Sequence, residues 1–265
     1  MSGVLTITKG SWTVSGNWNS SGVGSVFTQG TGIHTFDATA TISLLSTDNT
    51  FDDLTVSGGT VTLATAVIVT NALTISGGTF AKSTFAITSA GSLTMSGGDL
   101  TSTSGDVTIT GAVNISSAAS AIDFGSEAWT VSGAWTNAST DGTVWEAGSG
   151  TITFDSATGG TMTFAGANLS EDEFSSVTFN SSGVAAQTFT MATRGLRWGG
   201  TLTVTDPTGG TILAKATLTL TGGLITLAGT AGGAITSTSG DVTGSTVDIS
   251  SASYIDLGSE TWSLT

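Results

Sequence analysis

The chain has 265 residues, with 38 glycines, one proline, no cysteine and charged side chains at only 9% of positions. Its net charge of −14, from 19 acidic and five basic residues, argues against a nucleic-acid partner, because phosphate backbones are held by clustered Lys and Arg. The lack of cysteine excludes a disulfide scaffold and thiolate metal sites. No apolar run approaches the roughly 18 residues that cross a membrane as a helix, so no membrane insertion is expected.

Thr, Ser and Gly dominate the rest, together with Val, Ile, Leu, Ala and Phe. Thr, Val, Ile and Phe favour strands, Gly and Ser supply turns, and the usual helix-surface residues are scarce. The composition predicts an almost purely β chain. Steps such as Leu202-Thr-Val-Thr205 and Leu218-Thr-Leu-Thr221 alternate apolar and polar residues, which a disordered linker has no reason to do.

In chain order, the first predicted strand is Gly3-Val-Leu-Thr-Ile-Thr8, with Val4, Leu5 and Ile7 as its apolar residues. No basic segment followed by an apolar one precedes it, so a signal peptide has been removed or export follows another route, as in a virion. Next comes Trp12-Thr-Val-Ser-Gly-Asn-Trp18, which returns as Trp129-Thr-Val-Ser-Gly-Ala-Trp135. Thr50-Phe51-Asp-Asp-Leu-Thr-Val56 returns as Glu173-Phe174-Ser-Ser-Val-Thr-Phe179, and Leu100-Thr-Ser-Thr-Ser-Gly-Asp-Val107 as Ile235-Thr-Ser-Thr-Ser-Gly-Asp-Val242. Ile122-Asp-Phe-Gly-Ser-Glu127 matches Ile255-Asp-Leu-Gly-Ser-Glu260. One continuous domain over 1–265 is therefore expected, with long repeats at approximately 11–127 and 128–260 and a third copy starting at 261.

Inside the long repeat runs a shorter beat. It is carried by Leu54-Thr-Val-Ser-Gly-Gly59, Leu73-Thr-Ile-Ser-Gly-Gly78 and Leu93-Thr-Met-Ser-Gly-Gly98, which follow one another at nearly equal spacing. One such unit is too small to bury its own apolar face, whereas stacked units bury a continuous core. This predicts an all-β parallel β-solenoid of about 13 coils with roughly 20 residues each, about 60 Å long at ~4.8 Å per coil. Leu, Val, Ile, Phe and Trp should point inward and Thr outward; Trp12, Trp18, Trp129, Trp135 and Trp262 are then expected to pack in the core, an aromatic platform for sugar rings being their other reading. A β-sandwich is the rival fold, but it usually shows hairpin turns such as Asn-Gly at regular spacing.

The Trp-Thr-Val-Ser-Gly-x-Trp and Leu-Thr-x-Ser-Gly-Gly motifs resemble the Thr/Ser/Gly-rich parallel β-helix repeats of prokaryotic surface proteins and viral fibres. The likeness covers essentially the whole chain. It implies a right-handed parallel β-helix used as a stalk, fibre or adhesin, an analogy at the level of fold.

Several positions are candidate sites. The acidic corners Asp48, Asp52, Asp53 and Glu171, Asp172, Glu173 carry oxygen ligands of the kind that hold Ca²⁺, although neither follows an EF-hand loop, and a solvated turn is the simpler reading. Arg194-Gly-Leu-Arg197-Trp198 holds both arginines of the chain beside a tryptophan. It reads either as a contact surface for a surface glycan or host protein, or as local pairing with an acid such as Glu171 or Asp172. His34, with no second histidine, is expected on the surface or in a turn. Ladders of outward threonines can order water and bind ice, but the Thr-x-Thr steps are expected to be scattered over several strands of each coil, as β-propensity alone would give.

No convergent carboxylate pair of the kind used by polysaccharide-degrading β-helix enzymes stands out, so no catalytic residue, transition metal or cofactor is expected. The leading expectation is a non-enzymatic structural subunit of an extracellular filament, fibre or surface stalk. An adhesin or tail-fibre module is the alternative. The chain ends on Thr261-Trp-Ser-Leu-Thr265, and laid end to end its Trp262 comes a little less than one coil before a neighbour's Trp12. The partner expected from this is a second copy of the chain. Val4, Leu5 and Ile7 of one copy would stack head-to-tail on Trp262 and Leu264 of the next. The same ends would arise in a slice of a longer repeat protein.

Overall fold

A computed structural model describes residues 4–45, 49–138, 145–156, 160–164 and 173–180, and beyond these the strand segments from Thr188–Ala192 to Trp262–Leu264. Among the described residues there is no helix, hence none long and apolar enough to cross a membrane. Every strand pair is parallel, and each strand bonds to the strand about one coil before it and one coil after it. The chain is a β-solenoid.

Each coil visits three faces in a fixed order. The first face begins with Val4–Lys9 and Val26–Thr31, the second with Trp12–Val14 and Ile33–Phe36, and the third with Trp18–Asn19 and Ala40–Ser43. In the middle of the rod the first two faces share single long strands, Val67–Ile75 and Ile87–Met95, which turn the corner through an irregularity in register. That corner is lined by Gly91, Gly111 and Gly133, where a Cβ would drive into the backbone of the coil beneath. Only glycine lets the backbones approach so closely. The Ser-Gly-Gly segments form the corner between the second and third faces, and Gly59 and Gly78 adopt the left-handed φ values of 63° and 69° that the turn needs.

The core is built of like-on-like columns. On the second face Leu54, Leu73, Leu93 and Val113 lie in register, beside a parallel column of Val56, Ile75, Met95 and Ile115. The third face adds Val61, Phe80, Leu100 and Ile122. The first adds Val107, Trp129, Ile152 and Val177. All of these side chains are buried. Farther along, the columns turn aromatic: Phe154 stacks on Phe179 at 5.2 Å, and Trp135 meets Phe154 and Phe174 edge-on at 5.9 and 5.8 Å.

The expected coil of roughly 20 residues holds for only part of the rod. Along the second face the positions in register are Leu54, Leu73, Leu93, Val113, Trp135, Met162 and Met191. Their spacing in the sequence is nearly even as far as Val113 and widens at every step after it. About seven turns fill the fully described part. Extra residues enter between strands, where they lengthen a coil without disturbing register, so the uniform estimate of about 13 coils is too high.

The long repeat also rotates. Trp12 lies on the second face, whereas its counterpart Trp129 lies on the first and the Trp262–Leu264 strand on the third. Leu100 and Ile122 of the third face likewise return as Ile235 and Ile255 of the second. Each long repeat therefore stops one face short of a whole number of coils.

Replacing Ile75 by Asp would set a charge between Val56 and Met95 in a fully buried column. The substitution should destabilise the fold by several kcal/mol, on the order of 3–5, read as a lower denaturant midpoint. An unfolding curve like that of the unaltered chain would show that the inward phase is misassigned.

Candidate functional site

The head of the rod is the first distinctive region. Leu5 is paired in register with Phe27, and Trp12 with His34, so all four occupy inward positions. Phe27 and His34, one coil in, are 5% and 1% exposed, whereas Leu5 and Trp12 are each 40% exposed. Leu5 and Trp12 thus present apolar surface at inward positions of the first described coil. Beside it opens a cleft of about 420 Å³ lined by Leu5, Asn17, Trp18, Ser20, Val26 and Phe27. Val4 and Ile7 share the Val4–Lys9 strand, in register with Val26 and Gln29. At the other end Trp262 and Leu264 form a third-face strand in register with Val242 and Gly244. The structure places these two strands at opposite ends of the solenoid.

Beneath the head lies a residue whose placement differs from expectation. His34 is not in a turn or on the surface: it sits on Ile33–Phe36 at an inward position. Its ring is surrounded by Phe51, Phe27 and Trp18, at centroid distances of 5.3, 5.8 and 6.4 Å, all edge-on. The alternation of Ile33-His-Thr-Phe36 puts His34 in phase with buried Phe36, and that phase was the signal available in the sequence.

The second region is a polar site inside the core. The strand Thr79–Ser83 alternates so that Phe80 and Lys82 both point inward, and the Lys82 side chain is fully buried. Its ammonium donates to the carbonyl oxygens of Ser104 at 2.7 Å, Phe85 at 3.4 Å and Gly105. It also faces Glu127 Oε1 at 3.3 Å across a fully buried ion pair. Trp129 Nε1 donates to the same carboxylate oxygen at 3.2 Å. Gly125, at φ 58°, leaves room for the carboxylate, since a Cβ there would collide with Glu127 Oε2. Burial lowers the Lys82 pKa, and Glu127 opposes that shift most strongly.

Lys82 therefore ties together three successive coils: its own strand, the Ser104–Gly105 corner and the Glu127–Trp129 segment. Sequence reasoning missed it. The available signal was a recurrence: Lys82 and Glu127 return at the same separation as Lys215 and Glu260, which lie outside the described residues.

The other candidates are dispersed. Asp52 Oδ1 accepts from Thr70 Oγ1 at 3.2 Å, while Asp53 Oδ1 accepts from Asn71 Nδ2 at 2.8 Å and Ala72 N at 3.1 Å. Both carboxylates thus brace the next coil. Asp48, Glu171, Asp172 and Arg194 lie outside the described residues. Glu173 and Phe174 lie in register with Arg197 and Trp198, so an acidic residue stands opposite Arg197 in the strand ladder. No group of three or more His, Cys, Asp and Glu among the described residues is placed to hold a metal ion.

Threonines fall on more than one strand of each coil and stack into columns along the rod. On the second face Thr13, Thr35, Thr55, Thr74, Thr94, Asn114, Thr136 and Thr163 follow one another in register, an almost unbroken column. Thr108, Thr130, Thr153, Thr178, Thr203 and Thr226 form another on the first face. Local sequence spacing spreads these residues over many strands, and coil stacking gathers them again.

No protein-family profile, curated protein or solved structure matches the chain.

Removing one partner of the buried pair, as in Lys82→Met or Glu127→Leu, strands the other charge and should cost about 3–5 kcal/mol. The double variant should lose far less than the sum, which a double-mutant cycle in denaturant would read. Additive losses would show that the two groups do not interact.

Proposed function

We propose that the chain is a structural, non-catalytic rod unit of an extracellular filament, fibre or surface stalk, joined head-to-tail through its solenoid ends. The observation that carries this reading is the exposure of Leu5 and Trp12 at inward positions whose next-coil partners are buried. A further parallel coil laid on that end would cover both side chains and pair the free strand edge. Topology gives support as well. Trp262–Leu264 is a third-face strand and Val4–Lys9 a first-face strand, which is the order in which the chain moves from one coil to the next. A tail laid on a neighbour's head continues the cycle in phase. Such a contact is heterologous and open, so it propagates into a fibre.

A second reading, favoured by the second-face column of threonines, is a water-ordering, ice-binding face. Its outward positions repeat at ~4.8 Å and hold threonines, broken once by Asn114, with no aromatic ring and no cation. In this reading the rod displays a regular hydroxyl lattice, and the filament is not needed.

Sedimentation should separate these. Under the filament reading the purified chain forms concentration-dependent polymers, and changing Leu5 and Leu264 together to Lys leaves folded monomers. A chain that stays monomeric at high concentration contradicts the filament. For the second reading, the chain should inhibit ice recrystallisation, and Thr55→Lys with Thr74→Lys should remove that effect; inactivity of the unaltered chain would dismiss it.

A further inference from the structure

We propose that protonation of His34 loosens the first two coils and thereby releases the head-to-tail joint, which makes the rod's assembly acid-sensitive. The proposal rests on the filament reading above for its consequence, but not for the behaviour of the coils themselves.

His34 lies in register directly under Trp12, so it supports the surface that a neighbouring copy would cover. The ring is 1% exposed, and neither nitrogen has a hydrogen-bond partner among the described residues. A neutral imidazole leaves one N–H unpaired there. An imidazolium would bring a net charge among Trp18, Phe27 and Phe51, with only the Gly32 and Asp53 carbonyls and the Asp52 charge to offset it.

The surrounding groups offer limited relief. Trp12–Val14, Trp18–Asn19 and Val26–Thr31 bring no titratable side chain, and Val4–Lys9 brings Lys9 beside Thr31. The neighbouring strand Thr50–Val56 brings Asp52 and Asp53, of which Asp52 is held by Thr70 and Asp53 by Asn71 and Ala72. Burial consequently lowers the His34 pKa, outweighing the opposing pull of the Gly32 and Asp53 carbonyls and the Asp52 charge.

The sign of the effect follows from linkage. Above the ordinary histidine pKa of about 6.5, His34 is neutral in the folded and unfolded chain alike, and pH has no influence through it. As pH falls below that value the unfolded segment binds a proton that the folded one refuses, so the local stability declines. The decline levels off once pH drops below the folded pKa. Opening should start at the head, where Trp12 and Leu5 are least covered.

Hydrogen exchange and sedimentation at pH 7.5 and pH 5, on the unaltered chain and on His34→Phe, test this. Phe fills the aromatic cage and does not titrate, and His34→Leu serves if Phe does not fold. Protection factors over residues 4–36 of the unaltered chain, corrected for the slower intrinsic amide exchange at the lower pH, should fall several-fold from pH 7.5 to pH 5. Polymers should dissociate over the same range. The Phe variant should show neither change, and it shares all the carboxylates, so their titration is controlled. Equal pH dependence in both chains, or none in the unaltered one, would overturn the proposal. If the unaltered chain is monomeric at pH 7.5 the filament reading fails alone, because exchange in the monomer still tests the switch.

Discussion

Everything in this fold depends on one contact, the parallel strand ladder between consecutive coils. A single coil is short and has no apolar face it can close on itself, so its inward side chains gain burial only when the next coil covers them. The ladder that joins coils also fixes which residue lies above which, and so sets the composition of every column. Leu54, Leu73 and Leu93 stack because the backbone bonds of Val56, Ile75 and Met95 with the coils beside them leave no other register. Slipping one strand by one residue would turn a whole column outward.

The corners follow from the same contact. Coils at strand spacing force their turns into backbone contact, and the Gly91–Gly111–Gly133 line is the result. Where a coil carries extra residues the ladder keeps its pairing and the surplus goes between strands. This explains why the coils lengthen beyond Val113 while Trp135, Met162 and Met191 still pair in register.

The architecture was legible in the sequence because one local pattern, Leu-Thr-x-Ser-Gly-Gly, encodes both an inward–outward phase and a corner. The rotation of the long repeat was not legible, since nothing in Trp12-Thr-Val and Trp129-Thr-Val says how many faces separate them. That number depends on how the intervening residues divide between strands and turns. Lys82 and His34 were missed for a related reason. Both occupy inward positions by simple alternation, but polarity pointed His34 to the surface and nothing singled out Lys82, and only the neighbouring coils supply the carbonyls and rings that surround them. Those neighbours lie about one or two coils away in sequence. Trp12, by contrast, was expected to be buried by its inward position and is exposed.

Stacking also accounts for the composition. A residue carried by the short repeat meets its own copy one coil away, at ~4.8 Å. A charge there would face a like charge along the whole rod, which destabilises a cross-strand pair. Threonine and serine both donate and accept, so their stacked copies do not repel. A low charged fraction of 9% and long threonine columns are then two outcomes of one constraint. Charges are tolerated where the repeat is broken or long. The Lys82–Glu127 pair belongs to the long repeat, whose next copy in the sequence carries Lys215 and Glu260, several coils farther on. Because each long repeat stops one face short of a whole number of coils, a feature it carries does not recur on its own face in the next copy. The buried Lys82–Glu127 pair therefore meets no copy of itself in an adjacent coil.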